Sequence, residues 1–414
     1  MKKVSAENFI KILRGDVLAF KMGFIKENTI VIDEVTVEEN IIVQNEITYN
    51  LEIQIKKVEF QSQFIIKKGE FLKKFSIQGG NFKHSRIAVP GFSIEGGKFS
   101  DFSIEGGKLG YASILNGEFD RFNISGNTEF RFLDISGGIF PNKLSIKGDP
   151  KFDQFTIKKV NESNNVKVYI KGGEFESICF EESELKCTEI QNAKIKNDFS
   201  INNCHYTGYC KILENSCINQ LTVQNKCQFD HGLLIEKAST KKITLANSFF
   251  KNKSSVFAEC LSFINGNHNT LSIYSCELLK KFYISNGTFK GKVFISRNEF
   301  GKDFVINGGS FEDEIKITEE GDTEGNFEIS NGIFKGKVFI SPNELEKGFV
   351  INGGSFEDEV KITGGKFKGD FKISKGEFEK SVVFEGGTFY KDLKITGGNF
   401  KEKLIIKKES KKIK

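Results

Sequence analysis

The stretch that decides the fold is Phe356–Ile406, FEDEVKITGGKFKGDFKISKGEFEKSVVFEGGTFYKDLKITGGNFKEKLII. Phe recurs at 356, 367, 378, 389 and 400, a strict period of 11. Val360, Phe371, Val382, Leu393 and Leu404 follow four residues behind, and Ile362, Ile373, Phe384, Ile395 and Ile406 six behind. The unit is Phe-x3-[Phe/Leu/Val]-x-[Ile/Phe]-x-Gly-Gly-x. Its apolar-x-apolar stretch has the period of two of a short strand with one buried face. The Gly-Gly pair supplies a corner, where positive φ costs glycine little.

Upstream the same unit is tighter. Ile104, Leu109, Ile114, Phe119 and Ile124 are spaced by five, each preceded two residues earlier by Phe102, Gly107, Ala112, Gly117 or Phe122. Two five-residue steps make one unit, and the 11-residue version carries one extra residue. Such a unit cannot bury itself alone. Stacking successive turns ~4.8 Å apart sets each Phe over its counterpart and builds continuous aromatic ladders. A second level of repetition is visible too. Asn286–Thr318 and Asn331–Thr363 agree at 27 of 33 positions, at an offset of 45, as expected of duplicated coils.

This pattern resembles the pentapeptide-repeat proteins, which place an apolar residue at the centre of every five and a small one two positions earlier. The resemblance covers roughly residues 56 to 406. It implies a right-handed parallel β-helix with four short sides and about 20 residues per coil. The chain departs from the family's Ala-[Asp/Asn]-Leu pattern, with Phe or Ile at the centres. Its 11-residue steps imply about 22 residues per coil, hence a rod of roughly 80 Å.

Composition follows from this reading. The 414 residues include 43 Phe and 41 Gly but four Pro and no Trp, and only 38% are hydrophobic. Sixty basic and 55 acidic side chains leave a formal charge of +5, which excludes a strongly basic nucleic-acid binder and a strongly acidic mimic of nucleic acid on bulk charge. Collagen is excluded because Gly does not recur every third residue. The whole excess charge lies in Lys401–Lys414, with seven Lys and two Glu. That segment is expected to blunt the last sheet edge with charge, contact with an anionic surface being the sharper alternative.

The expected organisation is a helical cap over 1–28, irregular starting coils over 29–59, a solenoid over 60–406 and a Lys-rich tail over 407–414. Within the solenoid, 158–280 is an irregular Cys-containing middle, and 286–318 and 331–363 are the duplicated coils. The cap is read from the helical spacing of Phe9, Ile10, Leu13, Val17, Phe20 and Phe24 behind Ser5-x-x-Asn8. Glu319–Gly325 is read as an acidic loop bulging from one corner.

Candidate chemistry is sparse. Cys204, His205, Cys210, Cys217, Cys227 and His231 are close in sequence, but their spacings do not match a zinc finger or ribbon. The 11-residue template puts Cys210 and Cys217 on apolar positions, so both are expected in the core. The eight Cys lie between 179 and 276, too localised to staple the chain, and are read as reduced thiols. The carboxylate triplets Glu312-Asp313-Glu314 and Glu357-Asp358-Glu359 recur in the duplicated coils beside Lys, as a solvated repeat face does. Accordingly no catalytic, cofactor-binding or metal-ligating residue is assigned. No apolar run of membrane-spanning length and no secretory signal is present, so the expected location is cytoplasmic.

The leading functional expectation is a non-catalytic repeat protein, a rigid scaffold or spacer that binds another protein through a solenoid face. One alternative, implied by the resemblance, is a nucleic-acid-mimicking topoisomerase modulator. Another is a carbohydrate-binding or polysaccharide-active β-helix of a phage or extracellular particle.

Overall fold

The structure is a computed structural model that describes residues 1–82, 89–160, 166–250, 259–319, 322–407 and 411–412, with 259–260 and 411–412 described by backbone alone. It is a parallel β-solenoid of about 16 turns, 62% strand and 3% helix. The chain forms two compact units, Met1–Ser200 and Ile201–Lys414.

The second unit shows the turn in its most regular form. Val338–Ser341, Glu344–Leu345, Phe349–Asn352 and Ser355–Phe356 make one circuit, and Val360–Thr363 begins the next directly beside Val338–Ser341. Each 11-residue step is thus half a turn: a four-residue strand, a corner, a two-residue strand and a second corner. In the long strands the alternation buries Val338 and Ile340, or Phe349 and Ile351, and turns their neighbours outward.

The phenylalanines stack as the period requires. Phe289, Phe311, Phe334, Phe356, Phe378 and Phe400 form one column with centroids 5.0, 5.1, 4.6, 4.8 and 4.7 Å apart. Phe282, Phe304, Phe327, Phe349 and Phe371 form another at 4.8, 4.4, 5.1 and 4.5 Å. Rings also meet edge-on, as where Phe300 abuts Phe304 at 5.2 Å and 87°. Each buried ring contributes roughly 1.5–3 kcal/mol from area alone, and its stacking adds to that. A core this thin is stable because nearly every inward position is filled by an aromatic or branched side chain.

In the first unit the turn length varies. Phe102 pairs with Phe122, whereas Phe130 pairs with Phe152, so the second of these turns is longer by two. Some strands run through the corners, such as Lys98–Ile114 and Arg121–Ser136. Residues 29–59 already keep solenoid register, Ile30 beside Ile53 and Ile41 beside Phe64. Tyr49, Phe71, Phe99, Phe119 and Phe140 make one aromatic column, with centroids 4.4 to 5.1 Å apart.

The first turn is covered by helix α1, Ala6–Leu13, whose Ser5 Oγ accepts the Asn8 N–H at 3.3 Å. Phe9 points its edge at Phe60 and Phe64, at 5.7 and 5.9 Å. The expected apolar stripe does not continue, because the chain turns at Gly15 (φ 72°) and helix α2, Val17–Lys21, restarts in another phase. Ala19 is buried there, whereas Val17 and Phe20 are 69% and 74% exposed. An unanticipated strand, Lys2–Lys3, pairs with Val35–Thr36.

Corners obey a steric rule. The first residue takes a left-handed conformation, which Asn also adopts, as at Asn286 (φ 51°) and Asn331 (φ 56°). The second lies so close to the turn below that a Cβ on Gly309 would sit 2.8 Å from the carbonyl oxygen of Gly287. Along the Phe289 column Asn-Gly therefore stands in for Gly-Gly, with the glycine kept at the second place; at other corners Ser or Cys fills that place.

Candidate functional site

With the interior filled, chemistry is left to the outward positions. Residues one turn apart stand side by side, and Lys–Glu pairs between neighbouring turns recur: Lys292–Glu314 at 3.2 Å, Lys380–Glu402 at 3.1 Å, Lys401–Glu379 at 2.7 Å and Lys407–Glu385 at 3.0 Å. The tightest cluster is Glu344, which bonds Lys368 and, at 2.9 Å, Lys366. Those two ammonium groups, Lys368 foremost, hold its carboxyl at about 2. The Glu312 and Glu357 triplets belong to this pattern. Each sits at a corner, where Asp313 and Asp358 accept the next residue's N–H at 2.7 Å.

A trough interrupts this pattern in the first unit. Gly69, Gly97, Gly117 and Gly138 occupy the same corner of successive turns, and a Cβ on Gly97 would lie 3.0 Å from the Gly69 carbonyl oxygen. Bare backbone therefore floors an open groove of about 840 Å³. Its walls alternate in charge. Glu46 and Lys68 pair at 2.7 Å on one side, followed by Asn116 and Lys159; Thr48, Glu70, Lys98 and Glu118 stand on the other, with Lys98 and Glu118 paired at 3.3 Å. The Lys68 ammonium holds the Glu46 carboxyl below its ordinary value. The trough combines reachable main chain with alternating charges, and its lining residues include no thiol and no imidazole.

The Cys and His residues are dispersed, and none of the described Cys side chains is in a disulfide. Cys210 is in the core beside Leu233, as expected. Cys217 is not: it is exposed at the start of strand Cys217–Gln224, and Ile218 takes the inward position. The reason lies in the corner before it, which holds one residue more than the same corner of the next turn: Ile212 and Ile218 are six apart where their partners Ile235 and Thr240 are five, and Ser216, buried behind left-handed Asn215, takes the place of the second corner glycine. Cys204 and Cys227 occupy the same kind of place, behind Asn203 and Lys226. Cys227 Sγ donates to the carbonyl oxygens of Gln224 and Ile201 at 3.1 and 3.4 Å, and burial pushes its thiol up. Asn225 and Lys226, both at positive φ, are where the turn takes an extra residue, so Phe229, and not the Gln228 that the 11-residue template sets there, stands beside Tyr206.

His205 Nε2 lies 3.2 Å from Asp230 Oδ2, with Gln228 Nε2 donating to Asp230 Oδ1 at 2.7 Å. Gln228 and Asp230 flank Phe229, whose short strand Gln228–Phe229 lies beside His205–Tyr206, a grouping visible only once the turns are stacked. Among the described residues no three His, Cys, Asp or Glu side chains converge as metal ligands would. His84 and the Cys260 side chain lie outside the described residues.

The expected acidic bulge is also different. Residues 320–321 lie outside the described residues. Glu319 turns inward, its carboxylate accepting the Asn298 N–H at 2.7 Å, and Asp322–Thr323 is an ordinary short strand with Thr323 buried beside Phe300. The tail's Lys408 and Lys414 likewise lie outside the described residues, while Lys411–Lys412 pairs with Thr388–Phe389.

Fold and surface together define a β-solenoid repeat protein with a filled core and patterned outer faces. No family model matches the sequence, and neither a curated protein nor a solved structure matches it significantly. Among the described residues no helix is long and apolar enough to cross a membrane.

Proposed function

We propose that the protein is a non-catalytic interaction scaffold, built as a divergent pentapeptide-repeat solenoid, and that the trough over Gly69, Gly97, Gly117 and Gly138 receives an extended segment of a protein partner. The five-residue steps at 102–124, whose register sets Phe102 beside Phe122 and Ile104 beside Ile124, support the family reading. The trough carries the functional one. A floor without side chains lets a second backbone approach closely, and walls alternating Glu and Lys complement a segment of alternating charge. Glu–Lys pairing across turns leaves, among the described residues, no dense anionic face of the kind that mimicry of nucleic acid requires.

The test places a photo-crosslinking residue at the exposed Asn116 of the full chain and, as control, at Lys372. Adducts formed at 116 and lost in Lys98→Glu support the reading. Equal yields at both positions refute it.

A further inference from the structure

A second feature of the first unit differs from everything around it. On three successive turns, strands Arg121–Ser136, Lys143–Lys158 and Lys167–Glu181 lie side by side. Register sets Arg121 beside Lys143, Asn123 beside Ser145, Ser145 beside Tyr169 and Lys147 beside Lys171. Leu144, Ile146, Val168 and Ile170 fill the core, so the alternating residues Lys143, Ser145, Lys147, Lys167, Tyr169 and Lys171 face outward. The result is a cleft of about 690 Å³ with a cationic column on each side and hydroxyl groups between them.

Many outward lysines elsewhere pair with a carboxylate of the neighbouring turn, as Lys292 does with Glu314 and Lys380 with Glu402; most of these do not. Arg121 reaches Asp101 at 3.8 Å at one end and Lys171 reaches Glu189 at 3.4 Å at the other. Between them, Lys143, Lys147 and Lys167 have no carboxylate partner among the described residues. Stacking like charges one strand spacing apart is unfavourable unless something else neutralises them. The floor points the same way. Ser145 is 1% exposed although it faces outward, and its Oγ has no hydrogen-bond partner among the described residues. Leaving a buried hydroxyl unsatisfied is costly, so it marks a place where a ligand's oxygen is wanted.

We propose that this cleft binds an acidic polysaccharide running along the stack of turns, one sugar ring per turn. A chain of uronic acid or sulfated rings bears one anionic group per ring and advances by roughly one strand spacing, ~4.8 Å, for each. Each ring's anionic group meets the lysine on the side it faces, Lys143 or Lys147 on one turn and Lys167 or Lys171 on the next, and the Ser145 hydroxyl bonds a ring oxygen or hydroxyl between them. Four of the five cations are lysines, point charges that suit single carboxylates or sulfates; paired recognition of phosphate favours arginine. Tyr169 is the one aromatic ring among the lining residues, too few for the stacking platforms on which single-stranded nucleic acids lie. This site is independent of the glycine trough and of the partner assigned to it.

The test is calorimetric titration of the full chain with oligogalacturonate, alongside neutral dextran oligomers and an oligothymidylate of matched charge. Binding to oligogalacturonate alone, or clearly tighter than to the oligothymidylate, is expected. Lys143→Gln with Lys167→Gln weakens it about tenfold or more, while Lys372→Gln with Lys394→Gln leaves it unchanged. Ser145→Ala gives a readout a structural role does not: affinity falls about threefold while the thermal midpoint stays level or rises, since the hydroxyl makes no bond to the described residues. No binding to oligogalacturonate, equal binding of dextran, equal loss in the control pair or tighter binding of oligothymidylate each overturns the proposal.

Discussion

The His268 imidazole lies against the ring of Phe289, centroids 5.0 Å apart and planes tilted by 42°, where the column of six phenylalanines begins. It is 2% exposed, Nδ1 lies 2.7 Å from Thr240 Oγ1, and Nε2 has no partner among the described residues. Gly266 precedes it by two residues, as Gly287 precedes Phe289, so His268 occupies a phenylalanine place. Burial drives it down to about 4 from the ordinary 6.5. Above pH 6.5 the imidazole is neutral folded or unfolded and contributes no pH dependence. Between about 6.5 and 4 the unfolded chain takes up a proton that the folded chain does not, so stability falls on acidification by about 1.4 kcal/mol per pH unit. Thr240→Val with His268→Phe removes this loss. Its advantage over the natural protein in denaturant melts is expected to be larger at pH 4.5 than at pH 7; an unchanged gap contradicts the assignment.

Phe327 lies 4.4 Å from Phe304 and 5.1 Å from Phe349. Phe327→Ala opens a cavity between two rings and is expected to cost about 3–5 kcal/mol. Because a solenoid turn leans on its neighbours, hydrogen exchange should accelerate first in the strands around 304–307 and 349–352. Uniform acceleration through the second unit speaks against that.

The two glycines of a corner should respond differently to the same change. Gly364 (φ 65°) has nothing within 4 Å of an added Cβ, whereas one on Gly365 meets the Pro342 carbonyl oxygen at 2.8 Å. Gly364→Asn is expected to leave the thermal midpoint within error and Gly365→Asn to lower it clearly. Equal effects in thermal melts contradict this steric difference between the two places.

Glu344 supplies a second pH-dependent group. With its carboxyl held at about 2 by Lys368 and Lys366, its contribution is complete above the ordinary carboxylate range and lost as the pH falls toward 2. Glu344→Gln should lower the thermal midpoint at pH 7, with the difference shrinking on acidification below about 4.5. A constant difference shows that the carboxylate's charge is not what matters.

The solenoid was legible because the repeat is strict: Phe356 and Phe378 are two units apart in sequence and 4.8 Å apart in space. Local exceptions were not. Cys217 fits the 11-residue template, but the corner at Asn215–Ser216 hands the inward place to Ile218. Val17 and Phe20 fit a helical stripe that Gly15 interrupts. Glu319 reads as solvated, yet it closes a corner by accepting the Asn298 N–H. The binding surfaces were hidden for another reason. Arg121, Lys143 and Lys167 look like any outward lysine or arginine of a repeat, and only the stacking of turns of unequal length brings them together. The trough is likewise a column of corner glycines, each ordinary in its own turn.

The central claim, that the outer surface of this solenoid binds and its interior only supports, is tested most directly by the crosslinking measurement at Asn116. The predicted result is a peptide adduct traced by mass spectrometry to one partner protein, present at 116, absent at 372 and abolished by Lys98→Glu. Adducts of equal yield at 116 and 372, or adducts at 116 that survive Lys98→Glu, would contradict it.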